Sequence, residues 1–209
     1  MSWFVPARGP GLVLLTVLAV AGAVPVAAAP RCPPRDNDAL TPWRQVTWKD
    51  FRGKVGSRLG PEAAHIATDL KLDDIEAEVT QEGEDAWVAR PQRICLYAAM
   101  NKLHSAARPG SDTDYALRHE QLHFDLTELT ARRLHPELMG LEGRGDNAQR
   151  AEADLRRRVY EARAAGLKAL EALQQEYDGS TAHGTTWLQQ KAWQRKIRRW
   201  LDETPAYTP

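Results

Sequence analysis

This sequence of 209 residues has a formal net charge of zero, only two cysteines and no long apolar run. Lys plus Arg and Asp plus Glu both number 28, so the charge balance gives no reason to expect nucleic acid or an anionic membrane as a partner. The apolar run over residues 12–20 is too short to span a membrane comfortably. About 180 residues would remain after removal of a leader, which suits one domain with a real core.

The N-terminus has the order of a secretory signal peptide. Arg8 precedes the apolar run, and small residues follow it up to Ala29. Cleavage after Ala23 or Ala28 fits a small-x-small site, and we assign residues 1–28 to the leader. An uncleaved anchor is the alternative. The sequence therefore predicts export to the periplasm or beyond, with no stable membrane association once the leader is removed.

Cysteine is limited to two residues, Cys32 and Cys95. In an oxidising compartment an even count favours one disulfide, which would tie the mature N-terminus to the end of the first half of the chain. The alternative is two free thiols, one of them placed to contact a metal. We expect the disulfide.

The first half of the chain predicts a small, mostly antiparallel sheet. A cluster of prolines makes residues 29–42 an extended linker, and we expect one domain over residues 43–204 with a tail at 205–209. Alternation of apolar and polar residues, punctuated by glycines, is typical of half-buried strands. The strand candidates are residues 46–51, 64–72, 75–80, 86–89 and 94–100.

The second half predicts three helices, so the fold class is α+β. Asp112 or Thr113 could cap the first, which Pro136 would end near residue 134. Asn147 could cap a second helix reaching about residue 177, long enough to return across the domain. The third helix should cover residues 186–202. Leucines recur at helical spacing along the first helix and mark its core face: Leu117, Leu122, Leu126, Leu129 and Leu134.

The first of these helices contains the pattern H-E-x-x-H, formed by His119, Glu120 and His123. At about 100° per residue, positions four apart project from nearly the same side of a helix, so the two imidazoles could share one Zn²⁺. Glu120 could take a proton from a zinc-activated water molecule. Shuffling this composition would give about 0.01 such patterns per chain, so coincidence is a poor explanation.

A catalytic zinc ion needs a third protein ligand, and the His-x-x-Gly-x-x-His extension that would supply one is missing. The glycine-bracketed stretch after the long helix is the best source. His183 is the first choice and Asp178 the second. Glu152, early in the long helix, is the third.

Three side chains are candidates for support around the metal. Asp125 or Glu128 could accept the outer N–H of a ligating imidazole and fix its tautomer, although either could equally cap or form a salt bridge. Tyr177 could stabilise an oxyanion or pack at the helix end. The remaining histidines are expected to be structural: His65, His104 and His135.

The stretch from Leu117 to Leu126, LRHEQLHFDL, resembles a bacterial family of predicted secreted zinc-dependent proteases that has long been catalogued as a domain of unknown function. So do Glu128-Leu129, Ala131-Arg132, the segment WKDFRG at residues 48–53, and Tyr177-Asp178 with Thr181 and His183-Gly184. The resemblance implies that His119 and His123 are ligands and Glu120 is catalytic. It also implies that the Tyr-Asp-Thr-His-Gly loop is part of the site.

We therefore expect a zincin-like domain and a secreted zinc metallopeptidase, a hydrolase acting on peptides or proteins with Glu120 as general base. A strand of the sheet could hold the substrate extended by edge pairing. Two alternatives remain at this point. One is a non-catalytic envelope protein whose metal site is structural or vestigial, and the other is a zinc amidase acting on cell-wall peptides.

Overall fold

The computed structural model describes residues 32–33, 35–55 and 62–206. The predicted leader lies outside these residues. A four-stranded antiparallel sheet, a separate two-stranded sheet and three helices make up the described part, which confirms the α+β class. The strands are β1 (Leu40–Pro42), β2 (Ala64–His65), β3 (Thr68–Gly83), β4 (Ala86–Asn101), β5 (Ala106–Ala107) and β6 (Gly143–Gly145), and the helices are α1 (Asp114–Met139), α2 (Ala148–Thr181) and α3 (Trp187–Glu203).

A long hairpin, β3–β4, is the platform for the helices. β4 is its central strand, paired with β3 on one side and with β1 and β6 on the other. The predicted segment 75–80 therefore lies in β3, and 86–89 and 94–100 lie in β4; each is a strand of 16 residues, and register shifts interrupt their pairing. The predicted segment 64–72 is divided between β2 and β3. Ile94 and Leu96 face the main core, while Cys95 and Tyr97 face the opposite side. Burial of both faces explains the nearly continuous apolar run over residues 94–100.

The N-terminal segment packs on this hairpin. Leu40–Pro42, which we placed in the linker, pairs with β4 as β1, so the described end of that linker belongs to the domain. The predicted disulfide between Cys32 and Cys95 is present and holds the same segment to the sheet. A disulfide is consistent with an oxidising compartment. No helix among the described residues is long and apolar enough to cross a membrane.

Residues 46–51 do not form the strand that we predicted. Trp48–Asp50 is a 3₁₀ helix, and the Asp50 carboxylate closes it by accepting the Thr47 N–H at 2.9 Å. Arg44 donates to both oxygens of Asp50, at 2.7 and 3.0 Å, and thereby fixes the turn. A side chain that bonds its own backbone competes with strand pairing, and here the local bonds prevail.

This turn is also tied to α1. The Val46 N–H donates to the Gln121 carboxamide at 2.8 Å, and Val46 itself is 1% exposed. Gln121 lies between the two histidines of the H-E-x-x-H pattern. The segment around Val46 therefore packs against the helix that carries the H-E-x-x-H pattern and is hydrogen-bonded to it.

Helix α1 begins as predicted and ends later than predicted. The Thr113 hydroxyl accepts the Ala116 N–H at 3.1 Å as its N-cap. Pro136 does not end the helix, which continues to Met139. Leu134 and Leu138 lie in the main core, 4% and 0% exposed, and their burial stabilises the last turn against the missing proline N–H.

Helix α2 runs back along α1 and is the longest element. Its 34 residues, capped by Asn147 as predicted, span about 51 Å at the usual rise. β6 packs so closely against it that a Cβ on Gly143 would lie 2.2 Å from the Ala151 carbonyl oxygen. α3 then packs on both helices, with Trp193 and Ile197 buried between them. The end of α2 thus lies beside the first half of α1.

The Asp50 turn leads to a testable dependence of stability on pH. Burial raises the pKa of Asp50, but hydrogen bonds from Arg44 and Thr47 outweigh burial and lower the pKa to about 2. Because the folded value lies below the ordinary 3.8, the stabilisation is complete above about pH 5 and is lost as the pH falls toward 2. Asp50→Asn should lower the free energy of unfolding by about 1 to 2 kcal/mol at pH 7.

Urea unfolding of the oxidised protein at pH 7, 5, 4 and 3 would measure this difference. It should shrink steadily between pH 5 and pH 3. Asp38→Asn is the matched control, since the Asp38 side chain is fully exposed. A difference between wild type and Asp50→Asn that stays constant over the whole range would contradict this assignment.

Candidate metal centre

The end of α2 delivers a carboxylate to the two histidines of α1. Asp178 Oδ1 lies 3.2 Å from His119 Nε2 and 2.9 Å from His123 Nε2. The three ligand atoms all lie within 4.8 Å of one another, and both histidines are buried. The Nε2 atoms of both imidazoles face Asp178 Oδ1, and the ring centroids are 5.0 Å apart.

The two separations that involve Asp178 are close to those around a small divalent ion. Ligand atoms at about 2.0 to 2.1 Å from a tetrahedral zinc ion are about 3.3 to 3.4 Å apart. The observed distances of 2.9 and 3.2 Å would need to widen by only a few tenths of an ångström. The cluster could therefore bind a metal ion, and two nitrogens with one oxygen suit zinc among several first-row metals.

The cavity in front of this cluster has a volume of about 400 Å³, and its wall carries acidic side chains. Glu62, Glu120 and Asp178 line it, and no Lys or Arg is among the described residues of its wall. Buried carboxylates are costly unless a cation or hydrogen-bond donors compensate them. The donor set is thus one that a divalent cation would complete.

Hydrogen bonding across the cluster shifts the acid–base properties of its members. Burial raises the pKa of Asp178, but the bonds to His119 and His123 outweigh it, so that the pKa lies well below its ordinary value. For His123, burial lowers the pKa, while the contact with Asp178 and the charge of Glu120 raise it above its ordinary value. Asp178 and His123 therefore each stabilise the charged form of the other in the metal-free protein.

Tyr177 supports the first histidine from behind. Its ring stacks on His119 with centroids 4.8 Å apart, and its hydroxyl lies 2.8 Å from His119 Nδ1. When Nε2 faces the metal position, Nδ1 carries the proton and donates to the Tyr177 oxygen. That hydroxyl can donate in turn to the His119 carbonyl oxygen at 3.4 Å. Such an outer partner fixes the tautomer and the ring plane of a ligand.

Glu120 also faces the cavity, on the side of β2. Its Oε2 accepts the N–H of Ile66 at 2.7 Å, and the residue is 4% exposed. On the other side of β2, the Arg108 N–H donates to the Ala63 carbonyl at 2.9 Å. The short strand is therefore held between β5 and the Glu120 carboxylate, along one wall of the cavity.

His183, our first choice for the third ligand, lies at the rim. Its side chain is 50% exposed, and Nδ1 is 3.9 Å from Asp178 Oδ1 and 3.5 Å from Glu62 Oε1. It is not in the group whose ligand atoms converge, whereas Asp178, our second choice, is. His183 sits in a turn with three consecutive residues in the left-handed region, at φ values of 46°, 51° and 81° for residues 182–184.

Gly184 closes this turn against the His119 ring. A Cβ at this position would lie 3.0 Å from Cγ and Nδ1 of His119 and 3.1 Å from the Gln190 side-chain oxygen. Together with the positive φ, this close approach requires glycine. The turn thus contacts the His119 ring directly and limits where it can lie.

The other candidates lie elsewhere. Asp125 accepts from the Trp43 indole at 2.9 Å and from Gln121 at 2.8 Å, and burial raises its pKa. Glu128 pairs with Arg132 within α1. Glu152, the third choice for a ligand, pairs with Arg156 on an exposed face of α2. Only Tyr177 of the three support candidates reaches a histidine of the cluster.

Several cavity residues were not predicted from the sequence. His65, which we expected to be structural, lines the cavity, so four of the six histidines do so. Ile66 has no local signal, because its role depends on β2 approaching α1 in space. Tyr115 lies four residues before His119 and also lines the wall. The helical spacing that identified His123 could have identified Tyr115 too.

Comparison with known proteins gives one match. Residues 111–184, about a third of the chain, match the model of a bacterial protein family of unknown function (DUF922). No curated protein and no solved structure matches the chain. The matched region begins just before α1 and ends at Gly184, so it contains the whole His119–His123–Asp178 cluster. The expected similarity to an uncharacterised bacterial family is thus confirmed for this region, and its description mentions neither zinc nor proteolysis.

Proposed function

We propose that this protein is an exported zinc-dependent metallopeptidase. The observation that carries the proposal is the convergence of His119, His123 and Asp178 on one point at the floor of a cavity. Glu120 supplies a carboxylate beside that point. A bound zinc ion would act as a Lewis acid on the substrate carbonyl and make a water molecule acidic enough to ionise near neutral pH.

The number of ligands favours catalysis over a structural role. Structural zinc sites have four protein ligands, whereas catalytic sites have three and leave a position open. Three residues converge in the described part of the chain, and the cavity borders them. This arrangement supports an open coordination position on the cavity side.

Glu120 is suited to proton transfer. Its carboxylate is held by the Ile66 N–H, which limits its rotation, and it lies in the wall of the same cavity. In the proposed reaction Glu120 accepts a proton from the attacking water molecule and then donates that proton to the leaving amine.

The charges of the cavity favour a neutral substrate group. Two of its carboxylates, Glu120 and Asp178, balance the charge of one divalent ion, and the wall offers no Lys or Arg among the described residues to bind a phosphate or carboxylate. An amide has no charge and is not repelled. β2 runs along the wall, where an extended peptide could pair with its backbone.

The third ligand can be tested by substitution. Asp178→Asn should weaken zinc binding by more than the roughly 10- to 100-fold that loss of an outer partner costs, because it removes an anionic ligand. His183→Asn and Glu152→Gln should bind zinc within about threefold of wild type, since both side chains lie outside the converging group. Competition with a chromophoric chelator would measure the affinities. Retention of zinc by Asp178→Asn together with its loss in His183→Asn would reverse the assignment.

The role of Glu120 leads to a separate prediction. Glu120→Gln should keep stoichiometric zinc and the bond from Ile66, while turnover falls by about 10²- to 10⁴-fold because the general base is gone. Digests of casein, a peptide library and cell-wall peptide fragments would identify the substrate and report activity. Glu161→Gln, an exposed position on α2, is the control. Wild-type protein that holds zinc but cleaves none of these substrates would refute the proposed function.

Substitution of Gly184 tests whether the turn at residues 182–184 positions the His119 ring. Gly184→Ala and Gly110→Ala impose the same backbone penalty, since the two φ values are 81° and 80°, but only the former meets a neighbour. Both should destabilise the protein by about 1 to 2 kcal/mol. Only Gly184→Ala should also weaken zinc binding, by about tenfold, through displacement of His119. Equal zinc affinities in the two variants would mean that the turn does not position the ring.

A further inference from the structure

Tyr115 presents a hydroxyl group that the site described so far does not use. It is the second residue of α1 and precedes His119 and His123 by four and eight residues, so all three side chains lie on the same side of the helix. Tyr115 lines the same cavity as the two histidines. Its hydroxyl oxygen is buried and has no hydrogen-bond partner in the described part of the chain.

The other described tyrosines show that this is unusual within the molecule. The Tyr97 hydroxyl donates to Asp73 at 2.6 Å, and the Tyr177 hydroxyl bonds to His119. Tyr160 is 54% exposed on α2. A buried hydroxyl without a partner costs stability, and a phenylalanine would fill the same space without that cost.

The backbone of Tyr115 is held in place. Gln190, 3% exposed on α3, donates from its side-chain amide to the Tyr115 carbonyl oxygen at 3.3 Å. The same carboxamide packs beside Gly184 and hence beside the His119 ring. Tyr115 is thus anchored to the elements that position the metal ligands, and its unpartnered hydroxyl belongs to a residue of the cavity wall.

We propose that the Tyr115 hydroxyl donates a hydrogen bond to a carbonyl oxygen of the bound peptide. The proposal rests on the proposed function and adds a substrate-binding residue to it. A phenol is a good donor to a carbonyl oxygen, and a neutral donor suits a cavity wall that lacks Lys and Arg among its described residues. Substrate binding would then satisfy the group that the fold leaves unsatisfied.

The test compares Tyr115→Phe with Tyr160→Phe, an exposed tyrosine that loses the same atom. For the metal-free proteins, thermal unfolding should show that Tyr115→Phe melts at the same temperature as wild type or higher. A melting temperature lowered by more than about 3 °C would mean that the hydroxyl has a structural role, and would overturn the proposal.

A second measurement concerns binding. In the zinc-loaded protein, Tyr115→Phe should bind a dipeptide hydroxamate about 3- to 10-fold more weakly by titration calorimetry, as expected for one lost hydrogen bond, with zinc affinity unchanged. Tyr160→Phe should match wild type in both. Hydroxamate affinity unchanged in Tyr115→Phe would overturn the proposal.

The two proposals fail in different ways. If wild type cleaves no peptide but Tyr115→Phe still weakens hydroxamate binding, the peptidase assignment fails while Tyr115 remains a ligand-binding residue. If wild type cleaves peptides and Tyr115→Phe leaves kcat/KM unchanged, the assignment of Tyr115 fails while the peptidase stands.

Discussion

The contact between one carboxylate of α2 and two imidazoles of α1 depends on the packing of almost every other element of the structure. Asp178 and His123 are 55 residues apart in sequence, so only the return of α2 along α1 brings them within 2.9 Å. The hairpin β3–β4 provides the surface on which both helices lie, and close packing at Gly143 fixes where α2 begins. A helix that extends by 1.5 Å per residue leaves little freedom once its start is fixed. The position of the carboxylate therefore follows from contacts made at the opposite end of α2.

Features that cost stability are concentrated around this contact. Residues 182–184 are all in the left-handed region, and two of them are not glycine. The Tyr115 hydroxyl and the Gln190 side-chain oxygen are both buried without a partner in the described residues. Strained backbone and unsatisfied polar groups persist where the surrounding structure over-determines them, which is typical of functional sites. Elsewhere charged side chains are paired, as in the salt bridges along α2 and in the partly buried Arg44–Asp50 pair.

Local spacing in the sequence was sufficient to predict that His119 and His123 lie together, and to predict the caps Thr113 and Asn147 and the α+β class. It was not sufficient for the third member of the cluster, Asp178. Asp178-Gly179-Ser180 is typical of a helix end, so both Asp178 and His183 were placed in one loop. In fact the Thr181 and Ser180 hydroxyls bond back to the Tyr177 carbonyl, and the Trp193 indole donates to Ser180. These bonds carry α2 through Gly179 to Thr181, which leaves Asp178 on a rigid helix and His183 in the turn. The 3₁₀ turn at Asp50 was missed for a similar reason, since it depends on Arg44 and on Gln121, 75 residues from Val46.

The choice of a carboxylate rather than a third imidazole changes the electrostatics of the centre. Three neutral histidines would leave a divalent ion with its full charge in a partly buried cavity. With Asp178 as a ligand and Glu120 beside it, two negative charges would offset the two positive charges of a divalent ion, and Glu62 adds a third carboxylate to the cavity wall. In the metal-free protein burial lowers the pKa of His123, but the contact with Asp178 favours a proton on the imidazole and raises the pKa above its ordinary value. A metal ion entering the cluster must displace that proton, which couples metal affinity to pH. The carboxylate that favours a proton on His123 in the metal-free protein would therefore also offset part of the charge of a bound metal ion.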